Sequence, residues 1–89
     1  MGCARIFKFN NNVSKKLIQS QMKVAMAMAK CIFGSAKVKF NAGYVVSKNQ
    51  AIIDVSSDVG KYLAEEFKVL MSMQVGKDEF SVQRIKTKD

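Results

Sequence analysis

The chain has 89 residues, 48% of them hydrophobic and 25% charged, a globular composition that suits one domain over residues 1–89 and leaves no room for a second core. Fifteen Lys and Arg stand against seven Asp and Glu for a net charge of +8; residues 1–53 carry nine of the cations and no acid, whereas residues 54–89 sum to −1. There is no histidine, so Ser-His and Cys-His nucleophiles are excluded, and the commonest metal ligand is missing.

Met1-Gly2-Cys3 opens like a lipidation signal, but the myristoylation pattern wants Ser or Thr where Ile6 stands. The acid-free first half shares that bias with mitochondrial transit peptides; its cations are mostly lysine and it holds an apparent strand-helix-strand unit, so it reads as mature structure. Ala4 to Phe9 alternates as a first strand, with Arg5, Phe7 and Phe9 on one side and Ala4, Ile6 and Lys8 on the other. Asn10, Asn11 and Asn12 break it, and they and Ser14 are N-cap candidates for a helix after them.

From Val13 to Phe33 the period is helical. Ile18, Ala25 and Ile32 recur every seven residues, flanked by Leu17, Met22, Met28 and Ala29, while Lys16, Lys23 and Lys30 line the opposite side. Cys31 falls on the flank of the apolar stripe, where a cysteine is ordinarily a small buried hydrophobe, and Gly34 is a natural stop. The stretch Leu17 to Phe33 is interrupted by Gln19, Gln21, Lys23 and Lys30 and cannot span a membrane.

Ala36, Val38 and Phe40 alternate with Lys37, Lys39 and Asn41, which predicts a half-buried strand with a basic wet face. A turn or bulge at Asn41-Ala42-Gly43 precedes Tyr44-Val45-Val46, and Ser47 to Gln50 is a second turn leading to the strand Ala51 to Val55. Ser56, Ser57 and Asp58 offer caps for a second helix whose apolar stripe is Val59, Leu63, Phe67, Leu70 and Met71, closed by Gly76 before a last strand around Phe80, Val82 and Arg84.

The order β-α-β-β-α-β is that of a ferredoxin-like two-layer α+β sandwich. A second reading fits as well: Phe67, Val69, Met71, Met73 and Val75 also alternate, and Gly76-Lys77-Asp78 could turn a hairpin over residues 67–86, shortening the second helix to give βαββα plus a C-terminal hairpin.

No constellation of chemistry stands out. Gly60-Lys61 superficially resembles the end of a phosphate-binding loop, but Val55 replaces the required glycine and Tyr62 the Ser or Thr. Asp58 is explained by capping, Glu65 by Lys61 and Lys68 at helical spacing, and Asp78 and Glu79 by a turn; Asp54, opposite Ile53, faces solvent or a ligand. The RNA-recognition fold shares this element order and stacks bases on sheet aromatics, but Ala51 to Val55 has no aromatic where that family places its most characteristic motif. The order through Gly43-Tyr44-Val45-Val46 loosely resembles that of histidine-containing phosphocarriers, whose phosphotransfer a chain without histidine could not perform.

These observations lead to the expectation of a small non-catalytic protein-interaction or regulatory domain, without cofactor or metal, that forms a homodimer through its sheet. Cys3 and Cys31 lack CxxC spacing and no secretory signal is evident, which makes a cytoplasmic setting the default. The alternative is a nucleic-acid or acidic-protein binder using Lys16, Lys23 and Lys30 on the helix, Lys37 and Lys39 on the strand, and Arg5 and Tyr44.

Overall fold

Alternation within Cys3–Phe9 puts Phe7 and Phe9 on the same side of a strand, and both are buried under helices; this is β1. A computed structural model describes residues 3–86, so the lipidation-like start at Met1 and Gly2 lies outside the described residues. The remaining elements are α1 (Lys15–Phe33), α2 (Ser35–Asn41), β2 (Tyr44–Ser47), β3 (Gln50–Asp54), α3 (Asp58–Val75), a 3-10 turn (Lys77–Glu79) and β4 (Phe80–Lys86). The four strands form one antiparallel sheet in the order β2-β3-β1-β4, so the fold is α+β with three helices.

Capping follows the sequence closely. The Ser14 hydroxyl accepts from the Leu17 N–H at 3.1 Å to start α1, and the Ser57 hydroxyl accepts from the Gly60 N–H at 3.0 Å to start α3. Gly34 and Gly76, both at φ near +90°, end α1 and α3 with their N–H groups bonded to Lys30 O and Ser72 O. The three asparagines after β1 also stitch loops together: Asn12 Nδ2 donates to Glu79 Oε1 at 2.8 Å, and Asn11 Oδ1 accepts from Asn49 Nδ2 at 2.9 Å.

Two sequence expectations fail. The segment Ala36 to Asn41 is not a strand but α2, which packs against α1 and α3. Alternation over so few residues, rich in the good helix formers Ala and Lys, fits a short helix equally well. The strand reading asked for Ala36, Val38 and Phe40 to share a buried side; Val38 alone is buried, against Ala29 and Val59, whereas Phe40 is 84% exposed. The lysine-bearing strand of the polyanion reading is therefore a lysine-bearing helix. The alternative hairpin over residues 67–86 is also overturned: α3 runs unbroken to Val75, and β4 pairs with β1 instead. Phe67 and Met71 at helical spacing are both fully buried, so packing selects period 3.6 over period 2.

One core lies between the helices and the sheet. Phe7, Phe9, Phe67 and Phe80 form its aromatic centre, with the Phe7 and Phe67 rings edge to face at 5.0 Å, and Ile18, Met22, Ala25, Ile53 and Leu63 surround them. The alternation of strand one is as expected, but Ile32 and Cys31 are not buried. Both are exposed, Ile32 at 61%, in the last turn of α1, where Gly34 ends the helix and the chain enters α2.

Candidate functional site

The side of the sheet away from the helices is uncovered. Register assigns its residues: Val45, Ile52, Ile6 and Gln83 lie in one row across all four strands, and Asp54, Ala4 and Ile85 lie in the next across three. Val45 is 61% and Ile85 39% exposed, and Ile6, Ile52 and Ala4 are half-buried. By the same alternation Lys8, Ser47, Gln50 and Ser81 complete the face, so among the described residues its charges are Lys8 and Asp54, which cancel. A chain of net charge +8 thus presents a neutral, partly apolar sheet surface. It carries no aromatic: Phe7 and Phe9 face the helices and are buried, which removes the stacking platform that sheet-face base recognition uses.

Asp54 stands on this face at the end of β3. Its Oδ1 accepts from the Ser56 N–H at 2.8 Å, and hydrogen bonds from the Ser56 hydroxyl first and its N–H second hold the carboxyl below its ordinary range. The residue closes a turn, which is reason enough for an acid there.

The expected polyanion residues divide into two places. Lys16, Lys23 and Lys30 are all exposed along one stripe of α1, and Lys37 and Lys39 are exposed on α2, where Lys37 Nζ lies 5.1 Å from the centre of the Phe33 ring. Tyr44 shares the helix-side face of the sheet with Ile53, at the β2 edge, and meets Lys23 across a cleft of about 250 Å³ that Gln19, Met22 and Val46 complete. Arg5 is elsewhere. It lies on β1, where its Nη1 donates to Glu65 Oε1 of α3 at 2.6 Å, and that bond, with the positive charges of Arg5, Lys68 and Arg84, holds the Glu65 carboxyl below its ordinary range. Glu65 was expected to answer Lys61 and Lys68 on its own helix; a charge-assisted bond to a half-buried guanidinium is the stronger choice.

A second basic site was not anticipated from the sequence. Where β1 begins and β4 ends, beside the first turns of α3, a cleft of about 370 Å³ is lined by Arg5, Lys61, Arg84 and Lys86 together with Cys3, Ala4, Val55 and Ile85. Register places Arg84 directly opposite Arg5 and Lys86 directly opposite Cys3, so the alternation of Arg84, Ile85 and Lys86 sends both cations to the helix side. That alternation was visible in the sequence, but its partner strand was not. Among the described residues, no group of three or more Cys, Asp or Glu side chains is placed to hold a metal, and no helix is long and apolar enough to cross a membrane.

Comparison with protein-family models, with curated proteins and with solved structures found no match for this chain.

Proposed function

We propose that the protein is a non-catalytic interaction domain that pairs with a second copy of itself through the uncovered sheet face. The observation that carries this reading is the segregation of charge: the face holding Val45, Ile52, Ile6 and Ile85 sums to zero, whereas the lysines of α1 and α2 lie in the helical layer. Two copies can therefore approach face to face with their excess positive charge turned outward, and a two-fold arrangement lets Lys8 of each copy meet Asp54 of the other. Four strands at about 4.8 Å spacing and seven residues at about 3.3 Å rise make a footprint of roughly 400 Å² per copy, at the small end for specific complexes. An interface of that size is a weak, reversible one, and its area alone does not set the affinity. The fold reading that accompanies it is a ferredoxin-like sandwich with α2 added, supported by the interleaving of its two crossovers: β3 separates β1 from β2, and β1 separates β3 from β4.

Sedimentation equilibrium from micromolar to millimolar protein tests the proposal, with Val45→Lys/Ile85→Lys as the disrupted variant. The expected outcome is a concentration-dependent dimer that the double substitution abolishes; a monomer throughout the range sinks the reading.

A second reading, polyanion binding, is favoured by one specific observation. Because Lys37 and Lys39 sit on α2, they join Lys16, Lys23 and Lys30 in the helical layer, with the exposed Phe40 next to Lys39. Oligonucleotide binding that falls steeply with salt and is lost in Lys16→Glu/Lys23→Glu/Lys30→Glu would move the assignment to this surface.

A further inference from the structure

We propose that the cleft between the end of the β1–β4 pair and α3 binds a small organic phosphate, a phosphomonoester with an apolar body. Four cationic side chains from three elements converge on it: Arg5 from β1, Lys61 from α3, and Arg84 and Lys86 from β4. No acid lines the cleft among the described residues. The juxtaposition is unfavourable in itself. Arg5 and Arg84 form a directly opposed cross-strand pair, an arrangement in which like charges destabilise a sheet. Glu65 bonds Arg5 Nη1 and its charge also acts on Arg84, so one carboxylate serves both guanidinium groups. Lys61, four residues before Glu65 on the same helix, is not drawn into that bond, and the Arg5–Glu65 pair is the ion pair among the described residues. Four cations line the cleft against the single Glu65 carboxylate among the described residues, a surplus that exceeds what a monocarboxylate neutralises. A phosphomonoester brings a charge of about −1.5 to −2 near neutral pH and three acceptor oxygens. Arg84 presents a planar fork suited to two of them, with Lys61 and Lys86 as point charges for the remainder. Glu65, by bonding one nitrogen of Arg5, holds that guanidinium at the cleft as a positioning residue. Cys3 and Val55 in the same lining supply the apolar contact for the ester's substituent.

The site shares no charged residue with the sheet face, and Ile85, which borders both, is unchanged in the variants that test the cleft, so its failure and the failure of self-association are separable. The test is an NMR amide-shift titration of the full chain with phenyl phosphate, run beside inorganic phosphate, benzoate and a single-stranded oligonucleotide. The result expected is saturable binding of phenyl phosphate with shifts concentrated at Val55, Lys61 and Ile85, and weaker binding of inorganic phosphate and of benzoate. Arg84→Gln weakens phenyl phosphate about tenfold or more, Arg84→Lys recovers part of the loss, and Lys16→Gln/Lys30→Gln leaves it unchanged. Preserved amide shifts in α1 and β3 establish that each variant is folded. Absence of saturation, equal loss in the Lys16→Gln/Lys30→Gln variant, benzoate binding as tightly as the phosphate, or binding of the oligonucleotide alone would each overturn the proposal.

Discussion

Arg5 and Arg84 face one another directly across the β1–β4 pairing, and Glu65 of α3 joins them through a 2.6 Å bond to Arg5. Three residues from three elements thus form one charged group, and its stability depends on the state of a single carboxylate.

That carboxylate sets a pH dependence. The Arg5 hydrogen bond holds Glu65 below its ordinary value of 4.5, so the folded state binds this proton less readily than the unfolded chain does. The stability it contributes is complete above the ordinary value and is lost as pH falls from there through the lowered one. Glu65 is 57% exposed, so Glu65→Gln is expected to lower stability at pH 7 by about 1 kcal/mol or less. Urea unfolding at pH 7 and at pH 3 checks this: the difference between wild type and variant should shrink at the lower pH, and a constant difference would show that the carboxylate's charge is not the cause. In the Glu65→Gln background, Arg84→Gln should recover part of the loss, since it removes the opposed like charge.

Gly60 lies in the first turn of α3, where a helix ordinarily gains about 1 kcal/mol on replacing Gly by Ala. The opposite is expected here. A Cβ at Gly60 would overlap the Asp54 carbonyl oxygen and lie 3.2 Å from Val55 Cα, both backbone atoms at the end of β3 that cannot move aside cheaply. Gly60→Ala should cost about 2 kcal/mol or more, read as a lowered midpoint in chemical denaturation. This close approach also accounts for the Gly60-Lys61 pair that superficially resembles a phosphate loop: the glycine is there for helix-to-strand packing.

α2 gives a contrast that distinguishes its helix from the strand that alternation suggests. Val38 is fully buried beside Ala29 and Val59, and Phe40 is 84% exposed two residues later. Val38→Asp is expected to destabilise the fold by several kcal/mol through an unpaired buried charge, whereas Phe40→Asp should change stability by about 0.5 kcal/mol at most. Equal losses at both positions would contradict the placement of Phe40. Thermal unfolding monitored by far-UV circular dichroism separates the outcomes.

Short-range features were legible in the chain itself. Ser14 and Ser57 as caps, Gly34 and Gly76 as stops, the side of β1 that carries Phe7 and Phe9, and the stripe of α3 through Leu63, Phe67 and Met71 all arise from interactions within a few residues, and all are seen. Packing between distant segments decided what those interactions leave open. Ala36 to Asn41 satisfies both periods, and burial of Val38 against Ala29 and Val59 goes with the helix. Ile32 continues the helical stripe of α1 but is left exposed at its last turn. The candidate sites show the same division. Lys16, Lys23 and Lys30 announce themselves at constant spacing on one element, but the meeting of Arg5 with Arg84, Lys61 and Lys86 depends on which strand β4 joins and in what register. Pairing between residues 79 positions apart leaves no local pattern, because register is set by the faces that the assembled core buries and not by either strand alone.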